Sequence, residues 1–385
     1  MKMKWLAGEL EELKKKGLYR SLSTIESAQT PRIRQDGKEL ILLSSNNYLG
    51  LTNHPKVKKA AFEAVEHYGT GSGGSRLTTG NHELYGRLEE RIAKFKGTED
   101  AIVFSTGYMA NIGTIAAIAG KGDLILSDER NHASIIDGCR LSRADVAVYP
   151  HKDTAYVENQ LRNSKHKKKL IVTDGIFSMD GDVAPLPEIS ELAKKYDAMV
   201  MVDDAHATGV LGKHKRGTPD YFNVDVDINM GTLSKALASI GGYVAGSGEL
   251  IDYLRNKARA FIYSTALPPP AVAAAKAAID VIEEENPAEK LWRNTAIYKK
   301  GLKDMGITIT SETQIIPLMT GGTEETVKAA SELLRLGVFA QGIRPPTVPQ
   351  GKGRIRTSLM ATHSEVDIAE ALLAISIIKE KFDLS

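Results

Sequence analysis

A single cysteine, Cys139, stands among 385 residues. That scarcity excludes an internal disulfide and any cysteine-based zinc knuckle. No apolar run approaches the length that spans a bilayer. Neither sign of charge dominates: 50 Lys and Arg oppose 48 Asp and Glu, for a formal net charge of +2. So even a balance provides no long-range field for nucleic acid or an anionic membrane. The one basic run, Lys165-His166-Lys167-Lys168-Lys169, lacks interleaved aromatic residues for base stacking and reads as a solvated loop. An uncharged signal-peptide core is missing too, because Glu9, Glu11 and Glu12 fall within the N-terminal stretch, and those acids also oppose a transit peptide. Trp5, Leu6, Leu10 and Leu13 instead share one face of an amphipathic helix. These absences predict a cytoplasmic protein with neither nucleic acid nor membrane as partner.

What is present is an ordinary globular composition, 42% apolar and 25% charged. From about residue 44 to 265, helical patterns alternate with short apolar runs. Those runs are Ala101-Ile102-Val103-Phe104, Asp123-Leu124-Ile125-Leu126, Val146-Ala147-Val148-Tyr149, Leu170-Ile171-Val172-Thr173 and Met199-Val200-Met201-Val202. Runs of this kind ending in polar or glycine-containing loops predict a mostly parallel sheet covered on both faces. Ligands of such sheets gather at the carboxyl ends of the strands. Pro268-Pro269-Pro270 and a helix over 271–285 mark a boundary, and a smaller α+β unit is expected beyond it. Its strands are expected near 306–309, 314–317 and 353–359. The predicted division is an arm over 1–43, a large α/β domain over 44–275 and a C-terminal α+β domain over 276–385.

Some patterns are decoys. Gly69-Thr70-Gly71-Ser72-Gly73-Gly74 fits G-x-G-x-x-G, but a helical stretch precedes it where a dinucleotide site needs a strand. His82-Glu83 opens like H-E-x-x-H, yet Gly86 stands where the second histidine belongs. Asp203-Asp204-Ala205-His206 follows a strand and admits three readings: a helix cap, a metal site, or a carboxylate and imidazole around pyridoxal phosphate (PLP). In the last, a carboxylate keeps the pyridine nitrogen protonated and the ring an electron sink. That reading demands a lysine. Gly231-Thr232-Leu233-Ser234-Lys235-Ala236-Leu237 supplies one among small and apolar neighbours, where burial favours the nucleophilic amine. Three more strand ends add chemistry: Gly107 and Tyr108 as a phosphate cradle at a helix start, His132 as a ring that can stack, and Ser178 as a hydroxyl. Taken singly, Asp203 and His132 read as a cap and a core histidine; together, four strand ends point to one chemistry.

The segments SSNNYLGL, GSGGSRLTTGNHELYGRLEE, DERNHASIIDG, DGIFSMDGDVAPL, VDDAHATGVLG, GTLSKALASIGGYVAG, FIYSTALPP and IRPPTVPQGKGRIR run in order from residue 44 to 356. In these the chain resembles the α-oxoamine synthases, acyltransferases of the fold-type-I, aminotransferase-like PLP class. The resemblance implies an α/β fold with a large mostly parallel sheet, PLP as cofactor and a homodimer. It implies Lys235 as the lysine that binds PLP, Asp203 at the pyridine nitrogen, His206 at the phenolic oxygen and His132 stacked on the ring. Gly107, Tyr108, Ser178 and Thr232 surround the cofactor in this scheme, and Thr265 contributes a phosphate contact across the dimer. Asn47 and Arg356 grip the amino-acid carboxylate, while Arg20 and Thr347 match positions used for the acyl substrate. The pattern is nearest the branch that joins L-alanine to a pimeloyl thioester, carried on CoA or an acyl-carrier protein, in biotin biosynthesis. The branch using glycine and acetyl-CoA is the alternative, and a non-catalytic sensing module on the same fold a remote one.

Overall fold

The computed structural model describes residues 3–382 and 384. Two compact units divide the chain, one formed by residues 46–178 and 182–289, the other by residues 1–45, 179–181 and 290–385.

The larger unit is built on seven strands. From one edge to the other they are Asp100–Phe104, Gly242–Gly246, Ile228–Thr232, Met199–Asp203, Lys169–Asp174, Leu124–Asp128 and Asp145–Tyr149. Gly242–Gly246 runs antiparallel to both neighbours, and the other six strands share one direction. Period-2 alternation sends successive side chains to opposite faces. Leu170, Val172 and Met201 enter one core beneath the helices Gly107–Ile118 and Ala133–Ser142. Ile171, Val200 and Val202 enter a second core beneath Thr154–Asn163 and Leu186–Tyr196. Burial on both faces is why these strands read as continuous apolar runs. All six parallel strands end on the same rim, bringing Phe104, Asp128, Asp174, Asp203 and Thr232 to one side of the sheet.

In the smaller unit an antiparallel sheet places Gly353–Ser358 between Ile315–Gly321 and Gln341–Ile343. A second sheet pairs Lys38–Leu42 with both Arg32–Gln35 and Val338–Phe339. The parallel pairing of Ile41 with Val338 is why residues 1–45 belong with the C-terminal segment instead of forming an arm of their own. The helix Pro269–Glu285 stays whole with the larger unit because it packs on the helices Pro55–Tyr68 and Glu83–Lys96. The unit boundary therefore falls after residue 289, not at 275. No strand forms over 306–309, where the backbone runs as a loop after the helix Pro287–Asp304. The helix Trp5–Lys15 forms as its periodicity predicts, yet it buries none of its residues. Among the described residues no helix is long and apolar enough to cross a membrane.

Candidate active site

A cavity of about 220 Å³ opens at the carboxyl rim of the large sheet. Lys235 reaches it from a tight turn that follows Ile228–Thr232. Leu233 N–H donates to the Gly241 carbonyl at 3.0 Å, Ser239 N–H to that of Leu233 at 2.8 Å, and Ala238 N–H to that of Lys235 at 3.0 Å. Ala238 is held at φ +55°, a left-handed conformation that costs an L-residue about 1–2 kcal/mol. Lys235 Nζ lies 2.8 Å from His206 Nε2, and His206 Nδ1 lies 2.6 Å from the hydroxyl of the fully buried Tyr48. The Tyr48 hydroxyl spends its one proton on Asn46 Oδ1 at 3.1 Å, so it accepts from His206 Nδ1–H. His206 Nε2 is thereby left as the acceptor that faces Lys235 Nζ.

Asp203 ends its strand with the carboxylate fastened at both oxygens. Oδ1 accepts from Ala205 N–H at 2.9 Å, and Oδ2 accepts from Asn111 Nδ2 at 2.7 Å. Asp174 stands beside it in register on the neighbouring strand and accepts the His132 N–H at 3.0 Å. Burial, reinforced by the charge of Asp203, drives the Asp174 carboxyl well above the usual carboxylate range.

His132 caps the helix Ala133–Ser142, its Nδ1 accepting from Ser134 N–H at 3.3 Å. The ring is reached by solvent through the cavity mouth, but the protein around it still removes most of its hydration. That desolvation lowers the imidazole below its usual range; Asp203 pulls it up and Lys235 pushes it further down. Opposite, Thr106 caps the helix Gly107–Ile118 by accepting from Met109 N–H, leaving the N–H groups of Gly107 and Tyr108 in the first turn. A Cβ on Gly107 would meet Thr232 Oγ1 at 3.3 Å, and one on Gly242 would meet Gly107 Cα at 2.6 Å. Close backbone approach at this point leaves a shallow cradle of N–H and hydroxyl groups that suits a phosphate.

Gly107, Tyr108, His132, Ser178, Asp203, His206, Thr232 and Lys235 all line this one cavity. Asn47 lies in the same unit with its amide 2.8 Å from the Thr52 hydroxyl. Thr265 is exposed away from the cavity, bridged to Ser75, its carbonyl accepting from Ser105 Oγ at 2.8 Å. In the smaller unit Arg20 Nη2 meets Thr347 Oγ1 at 3.4 Å across 327 residues of sequence, and Arg356 is buried on the central strand Gly353–Ser358. Asn111, Ser134, Tyr48 and Asp174 have no assigned role in the sequence reading. Asn111 had a signal, being the one amide in an otherwise apolar helix, GYMANIGTIAAI. A larger cavity of about 960 Å³ lies at the opposite ends of the strands, near Met199 and Ile228, but it holds no comparable cluster of reactive groups.

Residues 38–375 match the model of aminotransferase class I and II. The chain belongs to that family. Within it, the 8-amino-7-oxononanoate synthase of Geobacter metallireducens is 54% identical over 376 residues, 96% of either chain. A variant serine palmitoyltransferase from S. paucimobilis, solved with bound PLP and myriocin, is 34% identical with a TM-score of 0.93, covering 99% of this chain and 98% of its own. The 8-amino-7-oxononanoate synthase of Francisella tularensis superposes with a TM-score of 0.76 at 27% identity, over 89% of this chain and 98% of its own. This aminotransferase-class chain is thus an α-oxoamine synthase in fold and in sequence.

Proposed function

We propose that the chain is a PLP-dependent acyltransferase that condenses L-alanine with a pimeloyl thioester, releasing CO2, free thiol and 8-amino-7-oxononanoate for biotin biosynthesis. Support comes from relatives of that name at about half identity over nearly the full length. The observation that carries the chemistry is the approach of Lys235 Nζ to His206, in one cavity with Asp203 and a helix-start phosphate cradle. These residues fit PLP. Lys235 would bind it, Asp203 would hold the proton on the ring nitrogen, His206 would face the phenolic oxygen and His132 would lie against the ring. Gly107, Tyr108 and Thr232 would hold the phosphate, with Ser178 at the rim. Bound there, PLP supplies an electron sink for negative charge at the amino-acid Cα.

The protein's own groups do the rest. Lys235 Nζ, once its amine is free, is the base for the Cα proton and later returns a proton to the product. His132 donates from its ring to the thioester oxygen as charge develops there. Asn47 and Arg356 hold the alanine carboxylate, and Arg20 with Thr347 holds the far end of the acyl chain. Whether the thiol belongs to CoA or to an acyl-carrier protein leaves these roles unchanged.

We place the reaction in a cytoplasmic homodimer. Phe62, Leu77, Ile240 and Tyr263 are each about half exposed or more, on the larger unit that also carries Thr265, which is the kind of apolar surface a second copy would cover. The test of function is product analysis by mass spectrometry with L-alanine or glycine crossed against pimeloyl-CoA or acetyl-CoA. Product mainly from alanine and pimeloyl-CoA is expected; product mainly from glycine and acetyl-CoA would move the assignment to the other branch.

A further inference from the structure

We infer that Asn111 and Ser134 are positioning residues that lock His132 in its Nε2–H tautomer, so that its cavity edge is a hydrogen-bond donor and not a base in the resting enzyme. Asn111 is 1% exposed, and its Nδ2 reaches two oxygens, Asp203 Oδ2 at 2.7 Å and Ser134 Oγ at 2.8 Å. Asp203 accepts at both oxygens, Oδ1 from Ala205 N–H and Oδ2 from Asn111, so this contact fixes which end of the amide carries hydrogen. Both amide protons are then spent. Ser134 Oγ, accepting from Asn111, has its single proton left for His132 Nδ1 at 2.7 Å. The Ser134 backbone N–H points at the same nitrogen from 3.3 Å. A nitrogen that receives two donors cannot carry a proton of its own. In the neutral ring the proton must therefore sit on Nε2.

The donations diverge from Asn111, one proton going to Asp203 and the other to Ser134, which passes its own to His132. The same carboxylate that serves the ring nitrogen of PLP thus also orders the donor facing the acyl carbonyl. This inference rests on the proposed function only in naming the acyl oxygen as the recipient of that donor. A preset Nε2–H points at a developing oxyanion without reorganisation, which is where such donors contribute most.

The experiment uses the PLP-loaded enzyme with 15N-labelled histidine. Long-range 1H–15N correlation reads the tautomer, and His132→Asn identifies the His132 signals among nine histidines. The expected spectrum has a pyridine-type Nδ1 and a pyrrole-type Nε2, and Ser134→Ala moves it toward a mixture. Ser134→Ala removes one oxygen and keeps the backbone bond, so it serves even if Asn111→Ala does not fold. Its condensation kcat is expected to fall about tenfold, while solvent exchange of the alanine Cα hydrogen, which is the work of Lys235, changes less than about twofold. A pyrrole-type Nδ1 in the wild type overturns the inference, as does an equal loss of exchange and condensation in Ser134→Ala. The tautomer readout involves no acyl donor, so failure of the pimeloyl reaction would be seen separately.

Discussion

Lys235, His206, Tyr48 and Asn46 form a line of contacts in which each proton has one direction, passing through a fully buried phenol to the Asn46 amide oxygen. Part of that line was legible: a lysine among small residues and a histidine three positions after Asp203 announce themselves. Tyr48 did not, because a tyrosine in NNYLGL carries no mark of which histidine it will meet 158 residues later. Arg20 is the reverse case. Its local string is ordinary, yet its guanidinium meets Thr347. If that pair grips the acyl terminus, Arg20→Ala will raise KM for pimeloyl-CoA roughly 10–100-fold, the usual worth of a hydrogen bond to a charged group. KM for alanine will stay within about twofold. Steady-state kinetics with each substrate varied in turn checks this, and an unchanged pimeloyl KM would remove Arg20 from the site.

At the scale of elements, the site depends on how closely the strand Gly242–Gly246 lets the helix Gly107–Ile118 approach. A Cβ on Gly242 would fall 2.7 Å from the Thr106 carbonyl oxygen and 2.6 Å from Gly107 Cα, all of them backbone atoms that cannot swing aside. Gly242→Ala should therefore destabilise the fold by about 1–3 kcal/mol, the usual cost of overpacking. Because the displaced helix start is also the phosphate cradle, PLP affinity should fall with it. Thermal melts and PLP titration read the two effects, and a variant that loses neither would contradict the close contact. Inner strands of the large sheet such as Leu124–Asp128 and Lys169–Asp174 were legible because burial on both faces makes them largely apolar. Residues 306–309 misled for the same reason: Ile307 is buried, but in a loop. The strand Gln341–Ile343 is three residues long and borrows its order from Gly353–Ser358, too short for any periodicity to declare it.

Over the whole molecule, pH dependence follows from where histidines are trapped. His151 sits between Asp128 and Asp182, with ring nitrogens 3.0 and 2.7 Å from their carboxylates and its ring edge-on to Phe177. Lys152 adds a second cation 3.5 Å from Asp182, and Glu129 accepts the His151 N–H. Burial opposes the imidazolium, but the two carboxylates outweigh it and raise its pKa from 6.5 to about 9. The folded chain thus holds this proton where the unfolded chain releases it. Its stabilisation is complete below about pH 6.5 and is lost as pH rises through about 9. His151→Gln should accordingly be less stable than the wild type at pH 6, on the order of 1–3 kcal/mol, and nearly equal to it at pH 10. Melting temperatures across that range give the comparison, and a gap that widens with pH would reverse the sign. No sequence pattern announced this network, since Asp128 ends a strand while His151 and Asp182 lie on separate loops, and only the order of the strands brings the three together.

Everything proposed for the reaction requires that Lys235 be the residue joined to PLP. Borohydride reduction of the loaded enzyme, followed by peptide mass spectrometry, tests that directly. The account predicts a reduced phosphopyridoxyl group on the peptide that contains Lys235 and on no other. A label on a different lysine, or a loaded enzyme that takes none, would contradict it.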